Sequence, residues 1–276
     1  MKISWKSKVA IFAGILALGL VVFVCLSHKV YAQSSTNLVL YDNFDERFLS
    51  PLKWNTFSAC YTDNGMELEC VREIRDETLH LAHKNFGNRD SNAGFQFGAA
   101  NVSFVNPSGI KSIRSDLAVR DVEEANCAAN PLFGPAAHID ANFFNTGTGN
   151  YNDDVGGHIG FSHGFSDPPG QIFVFGQISQ GNNFFFYLPL GQTTMGTPIR
   201  ATLTWDQPNQ RFLVSWTDLV TNIKTEGIMP YSFTSDSTPA TNPSKVLTAN
   251  TFVANCTANP TWQYIHATFS NVYIGN

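Results

Sequence analysis

IRATLTWDQPNQRFLVSW, running from Ile199 to Trp216, is the stretch whose reading decides the fold. Ile199, Ala201, Leu203 and Trp205 alternate with Arg200, Thr202 and Thr204, so an extended chain puts the apolar set on one face and the polar set on the other. Asp206-Gln207-Pro208-Asn209 then supplies turn residues, and RFLVSW resumes the alternation. The segment predicts an antiparallel hairpin with one buried face.

The same alternation recurs at 38–44, 66–75, 78–84, 113–122, 136–145, 171–180, 199–205, 212–216 and 264–274, with Gly, Asn and Pro between the runs and little helical periodicity anywhere. Many short strands of this kind predict an all-β sandwich or barrel. The 23 phenylalanines suit a thick core between two sheets. Phe184-Phe185-Phe186-Tyr187 places aromatics on both faces of one strand, one face for the core and the other for a covered or ligand-facing surface.

The N-terminus carries lysines at 2, 6 and 8, followed by an uncharged apolar run from Val9 to Leu26 and then by Val30-Tyr31-Ala32. This predicts a signal peptide over 1–32, cleaved after Ala32, and one domain over 33–276. An uncleaved anchor is the competing reading, and only in that case would the protein meet a membrane. Val24 before Cys25 argues against lipidation. Four of the 17 basic residues and none of the 22 acidic ones lie in the leader, leaving a mature net charge of −9. Such a domain, without a basic stripe or a Gly-Lys phosphate loop, is not built to bind nucleic acid. Its expected place is outside the cell or in the periplasm or envelope.

Removal of Cys25 leaves Cys60, Cys70, Cys127 and Cys256, an even set in an exported chain, for which disulfides are the default. Three connectivities are open. ANCAANP at 125–131 and ANCTANP at 254–260 are nearly the same phrase, and Asn-Pro biases each toward extended geometry, so two similar strand entries lying side by side favour Cys127 with Cys256. Cys60 and Cys70 then form a local clip across Thr62-Asp63-Asn64-Gly65.

YDNFDERFLSPLKWN at 41–55, LTWDQPNQRFLVSW at 203–216 and TFSNVYIG at 268–275 together resemble the concanavalin A-like lectin/glucanase superfamily. The resemblance spans most of the mature chain. It implies a jelly-roll sandwich of two antiparallel sheets with a concave, often sugar-binding face. It also implies, in its hydrolase branch, a strand with paired carboxylates, which retaining glycoside hydrolysis needs about 5 to 5.5 Å apart. Glu73-Ile74-Arg75-Asp76-Glu77 has Arg75 at the centre, and His138-Ile139-Asp140-Ala141-Asn142 has a single acid, so neither supplies the pair. Some members hold calcium near the N-terminal strand and the last strand. Asp42 or Asp45 and Asn271 are the matching positions, a weak set with Asn where an Asp is usual. No cofactor is required, and a structural calcium is the one metal the resemblance suggests.

Other constellations give less. His158 and His163, five apart, point to opposite faces of a strand, and His138 with Asp140 is too small a set for zinc. No G-x-S-x-G announces a nucleophilic serine. Asn150 to Asp154 lacks the glycine and glutamate of an EF-hand loop. The candidate ligand site is the loop between two strong strands, with Asn145, Asn150, Tyr151, Asn152, Asp153 and Asp154 offering amides, carboxylates and an aromatic ring to a sugar, and Asp140 and Asn142 on the adjoining strand as the alternative. The sequence thus predicts an exported lectin-like protein that binds glycan or envelope polysaccharide without cleaving it. A divergent glycoside hydrolase and a structural envelope or matrix protein are the alternatives.

Overall fold

The computed structural model describes residues 37–55, 60–62, 69–125, 127, 134–164, 167–181, 183–233 and 235–276. The leader, its cleavage site and the turn expected after Thr62 lie outside these residues. In chain order the strands are β1 (Val39–Asp42), β2 (Trp54–Asn55), β3 (Cys60–Thr62), β4 (Glu69–Arg75), β5 (Thr78–Phe86), β6 (Phe95–Phe104), β7 (Ser112–Ala125), β8 (Ala136–Asn145) and β9 (Asp154–Ser162). They continue as β10 (Gln171–Gln180), β11 (Asn183–Thr194), β12 (Ile199–Asp206), β13 (Arg211–Asp218), β14 (Lys224–Pro230), β15 (Thr238–Pro239), β16 (Lys245–Ala254) and β17 (Trp262–Gly275).

They form two sheets. One runs β14-β13-β12-β7-β17-β5-β4, with β1 added on β17; the other runs β11-β10-β9-β8-β16-β6-β2, with β3 on β6 and β15 on β8. Every pairing is antiparallel, as in Trp205 opposite Phe212 and Ile139 opposite Ile159. The expected all-β, jelly-roll sandwich of two antiparallel sheets is therefore the observed architecture.

The hairpin that opened the reading behaves as its alternation requires. Ile199, Ala201 and Leu203 are buried against Phe212, Val214 and Trp216, while Trp205 stacks on Phe144 at 5.5 Å and donates its indole N–H to the Tyr231 hydroxyl at 2.8 Å. Asp206 holds the turn by accepting from the Asn209 amide and, at 2.7 Å, from Arg211 Nε. Between the sheets lie Phe44, Trp54, Phe144, Phe161, Phe212 and Phe269, all essentially fully buried. The sheets approach closely enough at Gly157 that a Cβ there would stand 2.9 Å from the Phe212 ring.

Both cysteine pairs close as expected, with Cα separations of 6.2 Å for Cys60 and Cys70 and 6.0 Å for Cys127 and Cys256. Their setting differs from the expectation. Cys127 and Cys256 follow the ends of β7 and β16 rather than entering strands, and those two strands belong to opposite sheets. Cys60 on β3 and Cys70 on β4 likewise come from opposite sheets, so the supposed local clip is also a cross-sheet staple.

Lys245 and His83 are titratable side chains buried in the interior. Lys245, 1% exposed, donates to the Asn142 carbonyl at 2.9 Å with its ammonium 4.6 Å from the Phe143 ring centre. Burial lowers its pKa to about 8. His83, fully buried, meets no hydrogen-bond partner at either ring nitrogen among the described residues, and burial lowers its pKa to about 4.

Candidate functional site

Strand registry turns the outer face of the nine-stranded sheet into a grid. Across the middle, Ser103 of β6, Val246 of β16, Asp140 of β8, His158 of β9, Gln177 of β10 and Tyr187 of β11 stand in one row. The row above contains Asn101, Thr248, His138, Gly160 and Phe175, and the row below contains Asn142, Gly156 and Ser179. Their inward neighbours, including Ile139, Ala141, Ile159 and Ile178, are buried in the core. Period-two geometry therefore commits the whole polar set to one surface.

At the centre three strands supply a connected chain of polar groups. Asp140 Oδ1 lies 3.0 Å from His158 Nδ1, and His158 Nε2 lies 2.7 Å from Ser179 Oγ. A carboxylate only accepts, so Nδ1 carries the proton that faces Asp140, and in the neutral imidazole Nε2 accepts from the serine hydroxyl. Burial tends to raise the Asp140 pKa, but the charge and hydrogen bond of His158 outweigh it and the net shift is downward. Asp140 is thus a carboxylate throughout the physiological range. His138 beside it is held neutral, its pKa lowered to about 4 by burial and then by His158, against a smaller opposing pull from Asp140.

Aromatic rings border this polar floor on both sides. The Phe175 ring lies over Gly160, and Tyr187, 59% exposed, stacks on it with centroids 5.4 Å apart and planes at 22°. On the other side Phe97 and Phe252 pack at 4.8 Å, with Tyr61 against Phe97. Near the Asn142 end a cleft of about 520 Å³ opens among Trp54, Asn55, Ser103, Asn106, Asn242 and Ser244.

The loop residues named from sequence divide into two groups. Asn145 and Asp154 are buried and hold the loop: Asn145 donates to the Asn150 carbonyl and to Asp154, and accepts from the backbone N–H of Gly147 and Gly149. Asp154 also accepts from the backbone N–H of Thr241 and Asn242. Asn150, Tyr151 and Asn152 remain at the surface, Tyr151 at 65% exposure, while Asp153 accepts from Thr148 and Gln180. The loop joins β8 to β9 just beyond Asn142, at that end of the sheet.

Of the positions suggested for calcium, Asp42 and Asn271 make hydrogen bonds within the chain. Asp42 is buried and accepts from Trp54 Nε1 at 2.6 Å, the Phe44 N–H at 3.0 Å and Lys53 at 3.3 Å. Asn271 donates to Asp116 at 3.1 Å, and Asp45 is exposed. Among the described residues no group of three or more His, Cys, Asp or Glu side chains converges as a metal site.

Sequence reasoning missed His158, Gln177 and Ser179 as site residues. A sequence motif for a nucleophilic serine is a local string, whereas these groups come from three adjacent strands. The available signal was the outward set of β10, in which Gln177 and Ser179 follow Phe173 and Phe175 on the solvent side of a strand the alternation had located. His163, as expected, parts from His158: it lies beyond β9, with Nδ1 3.9 Å from Glu124 Oε1.

No family model matches the chain, and no curated protein matches it. Among solved structures it is similar to winged bean acidic lectin complexed with methyl-alpha-D-galactose (TM-score 0.39, 13% identity, 79% of this chain and 98% of that one). It is also similar to an alginate lyase from Alteromonas sp.272 (TM-score 0.38, 13% identity, 84% and 100%) and to the exoplasmic/lumenal domain of VIP36 in a Ca2+/Man-bound form (TM-score 0.35, 9% identity, 74% and 82%). These likenesses assign no residue of the site.

Proposed function

We propose that this protein is an exported glycan-binding β-sandwich whose site is the outer face of the nine-stranded sheet. The observation that carries the reading is the cross-strand row Asp140, His158, Gln177 and Tyr187, with Asn142 and Ser179 beside it and aromatic rings at both margins. Sugar hydroxyls are matched by carboxylate, imidazole and amide groups held on rigid strands, and the apolar face of a pyranose is matched by an exposed ring such as Tyr187. Asn150, Tyr151, Asn152 and Asp153 form the rim next to the cleft. The central row contains one carboxylate, so the geometry favours holding a glycan over the two-acid chemistry that cuts its backbone.

The test is a glycan-array and calorimetric comparison of the mature chain, beginning at Gln33, with Gln177→Ala, Tyr187→Ala and Tyr151→Ala. Loss of about 1 to 3 kcal/mol of binding energy in the first two is expected, the scale for an unsatisfied polar partner or a lost ring contact. A smaller loss in Tyr151→Ala is expected for a rim residue. If a glycan binds and Gln177→Ala and Tyr187→Ala bind it as tightly as the parent, the site is not on this face.

A further inference from the structure

The chain Asp140, His158 and Ser179 has the order, the distances and the tautomer of a general-base relay. Ser179 Oγ is 2.7 Å from His158 Nε2, and the opposite ring nitrogen, Nδ1, is 3.0 Å from a carboxylate oxygen. Exposure grades along it: the Asp140 side chain is 33% exposed and that of His158 13%, while Ser179 keeps 6% of its surface open at the floor of the face. Each member sits on a different strand, fixed by ladder pairing on both sides, so the alignment costs little further ordering.

Beside Ser179 the floor is closely packed. Gly156 lies between Asn142 and Ser179 in the same row, and a Cβ there would stand 2.7 Å from Asn142 Oδ1, 3.0 Å from the Ala141 carbonyl oxygen and 3.5 Å from Ser179 Oγ. Only glycine fits there, because the Asn142 amide oxygen and the Ala141 carbonyl already occupy the place of a side chain next to Ser179. The Asn142 amide donates to the Asn242 carbonyl at 3.2 Å and turns its Oδ1 toward Gly156. A nucleophile, its base and the group that positions the base are thus assembled on three adjacent strands of this face.

We propose that Ser179 is a nucleophile activated by His158 and positioned through Asp140, and that the protein removes small acyl esters from the glycan lying on this face. The glycan as carrier rests on the function proposed above; the nucleophile rests on geometry alone. Ser179 Oγ forms a bond to the ester carbonyl carbon while its proton passes to His158 Nε2, and the carbonyl electron pair moves onto oxygen. Collapse breaks the bond to the sugar oxygen, which takes the proton from Nε2 and leaves as the free hydroxyl. Water then attacks the acyl-serine, its proton passing through Nε2 back to Ser179 Oγ, and the carboxylic acid departs. The sum is ester plus water giving alcohol plus acid, with glycosidic bonds untouched.

The mature protein is treated with phenylmethylsulfonyl fluoride and mapped by peptide mass, and is assayed for hydrolysis of 4-methylumbelliferyl acetate and for acetate release from acetylated xylan. A sulfonyl adduct on Ser179 and ester hydrolysis are expected, with both lost in Ser179→Ala and His158→Gln. In Asp140→Asn, kcat falls at least about a hundredfold with KM little changed, because asparagine presents the imidazole in the wrong tautomer. Circular dichroism and an unchanged urea midpoint of Ser179→Ala confirm that the sandwich is intact. An unmodified Ser179, together with ester hydrolysis no faster than in Ser179→Ala, overturns the proposal. If the parent protein nevertheless binds glycan, that result leaves the glycan reading standing. Hydrolysis of the small ester that depends on Ser179, without glycan binding or acetate release from xylan, keeps the nucleophile and removes the glycan as its carrier.

Discussion

Lys245 offers a prediction that a titration decides. Its ammonium is buried between the sheets, 1% exposed, with two backbone carbonyls and the Phe143 ring as its surroundings and no carboxylate in its hydrogen bonds or ion pairs. Carbonyl bonds and a ring face compensate only part of the lost hydration, so the pKa falls from 10.5 to about 8. At 1.36 kcal/mol for each tenfold change in proton affinity, that difference is worth about 3 kcal/mol. Below pH 8 the lysine is charged in both folded and unfolded chains and the penalty is complete. Between pH 8 and 10.5 the folded chain gives up the proton while the unfolded chain keeps it, so stability rises with pH. Replacing Lys245 with Met retains the length and apolar volume and removes the charge. Urea unfolding of both proteins from pH 7 to 10 should show the parent gaining about 2 to 3 kcal/mol relative to Lys245→Met, whatever constant offset separates them. Tyrosine titration is common to both and cancels. Parallel curves would refute the account of Lys245 as a buried, uncompensated cation.

The acid limb should be set by imidazoles. His83 and His138 are held near pKa 4 by burial, below the ordinary 6.5, so they contribute stability above pH 6.5 that is lost as pH falls toward 4; His83→Leu should flatten that loss in a urea titration. The Cys127 to Cys256 bridge spans 129 residues, and Cys127→Ser with Cys256→Ser should lower stability by about 5 kcal/mol under the chain-entropy account, read from the urea midpoint. An unchanged midpoint would show that the sandwich closes as well without the bridge.

Sequence alternation by itself determined most of the scaffold. The strands at 136–145 and 171–180 match their observed bounds, and the Ile199 to Trp216 hairpin has the predicted turn and buried face, because a period-two pattern has one physical solution once one side must leave water. Strands β6, β9 and β16 were not legible in this way. FQFGAANVSF and DVGGHIGFS are rich in Gly and Ala where the sheets approach each other or a ring covers the backbone, and in KVLTANTFVA the outward Thr248 and Asn250 are themselves 5% and 7% exposed, so polarity no longer marks the solvent side. The cysteine pairing was legible from twin phrases, yet that each pair joins opposite sheets depended on which sheet received each strand. The site was the least legible part. Asp140 was visible as a lone acid, but its connection to His158 and Ser179 exists only through the registers of β8, β9 and β10, and strand order and register are set by the packing of the whole sandwich rather than by any short stretch of chain.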